Sequence, residues 1–113
     1  MARSTPERLR VTAAYAATYT PALGVARGEA LTSHHADPDN AGWRWTTNAG
    51  GLGGWLPEGL VQDGCATEDC DSTELTVAAG EFVTLVRRLN GWSLCETATG
   101  TRGWLPDSHL APA

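Results

Sequence analysis

Apolar and polar residues alternate in short runs along this chain, and no stretch keeps the i, i+3, i+4 spacing of an amphipathic helix for more than one turn. Glu81-Phe82-Val83-Thr84-Leu85-Val86 and Trp92-Ser93-Leu94-Cys95-Glu96-Thr97 read as strands, with Gly or Asn turns about every ten residues. Asn48-Ala49-Gly50-Gly51-Leu52-Gly53 and Thr97-Ala98-Thr99-Gly100-Thr101-Arg102 each separate a Trp-containing strand from a Gly-Trp-Leu-Pro strand, so both are expected to be hairpin tips. Leu23, Val25, Ala30 and Trp55, with Leu75, Val77, Phe82 and Trp104, are the expected inward-facing positions.

Those eight residues form two matched sets because the chain repeats itself. Val25-Ala26-Arg27-Gly28-Glu29-Ala30-Leu31-Thr32 corresponds to Val77-Ala78-Ala79-Gly80-Glu81-Phe82-Val83-Thr84. Further on, Gly42-Trp43 corresponds to Gly91-Trp92, and Gly54-Trp55-Leu56-Pro57 to Gly103-Trp104-Leu105-Pro106. Order and spacing are kept, except that the first copy has the longer loop Asp37-Pro38-Asp39-Asn40-Ala41 where the second turns through Leu89-Asn90-Gly91. Gly28 and Gly80 suit a turn with positive φ. The expected fold is all-β: two small barrels in tandem, of about five strands each, over residues 8–62 and 63–111. Gln62-Asp63-Gly64 is a short connection, so the barrels are expected to pack together.

The composition fits that picture and narrows the chemistry. The chain has 113 residues, 42% hydrophobic, with five Trp and with 13 Gly and 6 Pro as turn-formers. Net charge is −5, and the acidity lies in residues 63–113, which carry eight acids against three Arg. Without a basic stripe, nucleic acid is not an expected partner. All eight cations are Arg, which reads as the codon bias of a GC-rich, bacterial genome rather than a functional signal. No apolar run is long enough for a membrane span or for a signal peptide near the N-terminus, so the cytoplasm is the expected location. The three cysteines, Cys65, Cys70 and Cys95, are expected to be reduced, with Cys95 buried as a small apolar residue. His34-His35-Ala36-Asp37-Pro38-Asp39 has metal-ligand residue types but no zinc-like spacing, so it is expected to be a polar surface loop, with no metal and no cofactor.

The second copy resembles the bacterial or variant Src-homology-3 (SH3) family. Ala66-Thr67-Glu68-Asp69-Cys70, Glu74-Leu75-Thr76-Val77, Ala79-Gly80-Glu81, Gly91-Trp92-Ser93 and Gly103-Trp104-Leu105-Pro106-Asp107-Ser108-His109 follow the family's order of segments. The first copy is similar from about residue 9, with Ala13-Ala14-Tyr15-Ala16-Ala17, or a register slightly later, as its first strand. The resemblance implies a shallow groove that receives a polyproline II peptide on aromatic faces, with acidic loop residues taking a basic residue of the ligand. Carried over residue by residue, the groove of the first copy is Tyr15 or Tyr19, Trp43, Pro57 and Leu60. That of the second is Trp92, Pro106 and His109, with Glu68 and Cys70 where the family has tyrosines. Glu68, Asp69, Asp71 and Glu74 stand for the acidic loop.

The resemblance therefore implies a non-catalytic, adaptor-type interaction module that binds a protein or a proline-rich or basic peptide. Two other readings compete with it: a structural homo-oligomer, and a small-molecule-binding protein or enzyme with a site between the barrels. Trp43 and Trp45, two apart on a strand, share a face and are a candidate aromatic platform. No phosphate loop, nucleophile elbow or pair of pocketed carboxylates is present in the sequence, and the chain is not expected to be an enzyme.

Overall fold

The computed structural model describes residues 6–113, and its regular structure is all β, with no α-helix among the described residues. Twelve strands follow one another. In the first part of the chain are β1 (Arg8–Val11), β2 (Gly24–Val25), β3 (Leu31–Ala36), β4 (Trp43–Asn48), β5 (Gly53–Pro57) and β6 (Val61–Gln62). Then come β7 (Cys65–Ala66), β8 (Cys70–Asp71), β9 (Phe82–Leu89), β10 (Trp92–Glu96), β11 (Arg102–Pro106) and β12 (Leu110–Pro112), with a single 3-10 turn at Asp107–His109.

These elements form two compact units that are not consecutive in sequence. One comprises residues 6–17 together with Glu74–Ala113, and the other is Thr18–Thr73. The first, here called the split unit, has an antiparallel sheet in the order β11-β10-β9-β1-β12. β1 lies between β9 and β12, with Leu9 opposite both Val83 and Pro112. In the central unit, Thr18–Thr73, β3-β4-β5 form an antiparallel sheet, β2 pairs with β8 and β6 with β7.

The two units differ from the expected halves 8–62 and 63–111 in one respect: each takes the segment that sequence order would have given to the other. Val11 N–H donates to the Glu81 carbonyl (2.8 Å), and Ala66 N–H to the Glu29 carbonyl (2.9 Å). Thr12 N–H donates to the His109 carbonyl (2.8 Å), and Thr67 N–H to the Leu60 carbonyl (2.9 Å). Gly80 N–H donates to Val11 (2.7 Å), and Gly28 N–H to Ala66 (2.8 Å). Residues 8–17 and 63–72 are therefore structural equivalents, with Tyr15 matching Cys70: Tyr15 bridges Val77 as Cys70 pairs with Val25.

Turn chemistry follows the sequence. Gly28 and Gly80 take φ of 87° and 94°. Each of these turns is closed by the glutamate that follows, Glu29 accepting from Ala26 N–H (3.1 Å) and Glu81 from Ala78 N–H (3.2 Å). Asn90 and Gly91, φ 48° and 82°, join β9 to β10 with the two positive φ angles of a tight hairpin.

Each unit has its own core. The split unit buries Leu9, Val11, Leu75, Val77, Val83, Cys95 and Leu105, and the central unit Leu23, Val25, Leu31, Leu56, Leu60 and Ala66. Three expected inward positions are corrected. Ala30 is exposed and Phe82 is 44% exposed, because the strands after Gly28 and Gly80 point Leu31 and Val83 inward, one residue later. Trp55 is half-buried, since the inward side chain of β5 is its neighbour Leu56; Trp104 is buried, and Leu105 beside it is fully so. His34 and His35 lie on β3 rather than in a loop.

Candidate functional site

In the split unit, β1 leads into an extended segment that lays Tyr15 along Val77. Tyr15 N–H donates to the Val77 carbonyl (3.0 Å), and Val77 N–H to that of Tyr15 (2.8 Å). The half-buried Tyr15 ring stands edge-on to Trp92, with centroids 5.9 Å apart, and edge-on to His109, at 5.5 Å. Its hydroxyl donates to Glu74 Oε1 at 3.1 Å. Trp92 is opposite Pro106 in the β10–β11 ladder, and both are half-buried. Nδ1 of His109 is shielded from solvent and has no hydrogen-bond partner among the described residues. Tyr15, Glu74, Trp92, Pro106 and His109 thus come together in one unit, with two aromatic rings, an imidazole and a carboxylate side by side.

Below this surface, the fully buried Ser93 hydroxyl donates to Asp107 Oδ1 (2.5 Å), which ties β10 to the 3-10 turn that carries His109. Burial pushes the Cys95 thiol up to about 11, and nearby Asp107 adds to the shift. None of the three cysteines forms a disulfide among the described residues, and Cys95 is a neutral core residue.

The corresponding place in the central unit is built differently. Trp43, opposite Pro57, is only 5% exposed, and Leu60, where the other unit has His109, is part of the core. Cys70 occupies the position of Tyr15. Tyr19, 40% exposed, packs instead on Trp45 (5.4 Å between centroids) and Trp55 (6.5 Å). Trp45 and Trp55 meet at 5.1 Å, with His35 against Trp55 at 5.6 Å. The shared Trp43–Trp45 platform expected from their spacing is corrected accordingly, since Trp43 is buried and Trp45 is covered by Tyr19.

The acidic residues divide between the units, Glu68, Asp69 and Asp71 in the central one and Glu74 in the split one. Glu68 is exposed. Asp69 accepts from Arg27 N–H (2.8 Å), and Asp71 accepts from Thr73 N–H (2.8 Å) and from the Thr73 hydroxyl. Asp69 and Asp71 therefore have structural roles in turns. Among the described residues no group of three or more His, Cys, Asp or Glu is arranged to hold a metal ion, and no helix is long and apolar enough to cross a membrane.

Residue order assigns Tyr15 to the first repeat, whereas its ring lies against Trp92 of the second. The signal available was Leu9-Arg10-Val11, a clean alternation that places two large apolar residues next to Val83, followed by Tyr15 at the spacing that reaches Trp92. Residues 65–113 match the family model of the variant SH3 domain. The matched stretch opens with residues 65–73, which here complete the other unit. On this match, residues 65–113 are similar to a variant SH3 domain, a kind of domain that generally serves as a protein-interaction module.

Proposed function

We propose that the chain is a non-catalytic, adaptor-type protein of two SH3-like barrels that have exchanged their first strands, and that its peptide-binding groove is the one formed by Tyr15, Trp92, Pro106 and His109. The observation that carries this reading is the arrangement of Tyr15 edge-on to both Trp92 and His109 with its hydroxyl on Glu74. Proline rings of a polyproline II peptide pack against aromatic faces, and the peptide is largely ordered before it binds. Glu74 beside the rings favours a ligand that carries Arg or Lys next to its prolines. In the central unit the equivalent positions are Cys70, buried Trp43 and buried Leu60, which offer no such surface.

The test is an NMR titration of labelled protein with proline-rich peptides, with and without a flanking Arg, following the five indole resonances. The expected result is a shift of Trp92 with Trp43 unmoved, and at least a tenfold loss of affinity in Tyr15→Ala. Binding that moves only the Trp45 and Trp55 indoles would reject this groove.

A further inference from the structure

Residues 8–17 and 63–72 share backbone hydrogen bonds from Val11 and Ala66 onward, but Asp63 and Gly64 take φ of 52° and 75° where Arg8 and Leu9 are extended strand. Side-chain size separates the two segments as well. The segment in the split unit brings Leu9 and Val11, 1% and 0% exposed. At the matching positions the other segment has Gly64 and Ala66. Leu9 and Val11 share the split unit's core with Val83, Leu105 and the partly buried Leu110. If each repeat used the segment that sequence order assigns to it, Gly64 and Ala66 would leave voids beside Val83 and Leu110, and Leu9 would take the positive φ of Gly64. Cavities and backbone strain both disfavour that arrangement. Tyr15 adds its bond to Glu74 and its ring contacts, none of which Cys70 reproduces.

The seat between β9 and β12 is therefore a selective site for a strand of pattern Leu-x-Val-x-x-x-Tyr. Its occupant is joined to the rest of the split unit only through residues 18–73, which form the other compact unit. We propose that this seat also accepts residues 8–17 of a second copy of the chain, giving a dimer by reciprocal strand exchange. The exchanged dimer makes the same contacts within each unit as the single chain does. Their balance is therefore set by protein concentration against the effective concentration of the tethered strand. In the dimer, Tyr15 of one copy completes the Trp92 surface of the other. The inference rests on the pairing of β1 and is independent of what the groove binds.

Two full-length variants test it: Leu9→Asp with Val11→Asp, which spoils the strand and leaves the seat, and Val83→Asp, which spoils the seat and leaves the strand. Each alone is expected to be monomeric, with the Trp92 indole away from its native position. Refolded together at equal concentration, they are expected to give a 1:1 dimer by light scattering, with Trp92 of the isotope-labelled Leu9→Asp/Val11→Asp chain returned to its native position. A mixture that stays as two monomers with Trp92 unrestored overturns the proposal. A synthetic peptide of residues 6–17 is expected to restore Trp92 in the same labelled variant, and one of residues 61–72 to fail. Equal restoration by both peptides overturns the size-matching argument. Should the variants not fold, an equal mixture of labelled and unlabelled wild-type chains, unfolded and refolded at high concentration, is expected to yield mixed-label dimers by mass spectrometry. Monomer alone at every concentration overturns the proposal, as does a dimer fraction unchanged by Leu9→Asp/Val11→Asp.

Discussion

The ring of Tyr15 meets the indole of Trp92 edge to face, with centroids 5.9 Å apart and planes at 82°, although the two residues come from segments that sequence order places in different repeats. Tyr15→Phe keeps that contact and removes the hydroxyl that bonds Glu74, at an expected cost of about 1 kcal/mol. Tyr15→Ala removes the half-buried ring as well and is expected to cost about 3 kcal/mol. Denaturant unfolding followed by Trp fluorescence measures both. Equal losses in the two variants would mean that the ring contributes nothing.

Leu9→Ala opens a void in the core that Leu9 shares with Val83 and Leu105, and about 3 kcal/mol of stability is expected to go with it. Amide hydrogen exchange should accelerate first in β9 and β12, the strands on either side of β1. Acceleration in β3 to β5, with β9 and β12 still protected, would show that β1 pairs elsewhere.

Gly103 faces inward on β11, and a Cβ there would lie 2.8 Å from Leu75 Cγ and 3.0 Å from the Leu75 amide nitrogen. Gly54 is its counterpart, with Leu23 Cβ at 2.9 Å and Ser72 Oγ at 2.7 Å. Gly103→Ala forces backbone as well as side chain to move, and is expected to destabilise by about 2 kcal/mol. Gly100→Ser, in the open tip of the same hairpin, fills no space but strains φ of +86°, and is expected to cost about 1 kcal/mol. Thermal unfolding ranks the two, and the reverse order would contradict the close approach of Leu75.

Cys95 is held as a neutral thiol, its pKa raised from 9.0 to about 11 mainly by burial. A group that holds its proton more tightly when folded contributes fully below its unfolded pKa and loses that contribution as pH rises through the folded one. Stability is therefore expected to fall by roughly 2 to 3 kcal/mol between pH 9 and 11 on account of this residue. Urea titrations of wild type and Cys95→Ala across that window should show a shallower decline in the variant. Parallel curves would mean that Cys95 does not carry the effect. A thiol reagent at pH 8 should leave Cys95 unmodified in the native protein.

Much of the local structure was readable from residue order: the hairpin at Asn90-Gly91, the positive φ of Gly28 and Gly80, and the buried Leu23, Val25, Leu75 and Val77 all follow from alternation and turn chemistry. The inward phase after Gly28 and Gly80 was not, because Ala30 and Leu31, or Phe82 and Val83, are adjacent apolar residues and periodicity alone does not choose between them. The strand exchange was hidden for a related reason. Two equivalent segments compete for two equivalent seats, and repeat spacing favours the nearer one. The positive φ of Asp63 and Gly64 and the sizes of Leu9 and Val11 against Gly64 and Ala66 separate the alternatives. The candidate site was legible in its parts, Tyr15, Trp92, Pro106 and His109, while its assembly depended on the exchange.

The pairing of Leu9 with Pro112 has a consequence for synthesis. On the ribosome, residues 8–17 are made well before β9 and β12, the strands that flank β1, so this segment waits for them while all of Thr18–Thr73, the other compact unit, is made first. A contact of such long sequence range is slow to form, and an apolar strand kept waiting is open to capture by other nascent chains. The exposed Arg8 and Arg10, flanking Leu9, put like charges on neighbouring copies of the waiting strand and so discourage its premature stacking.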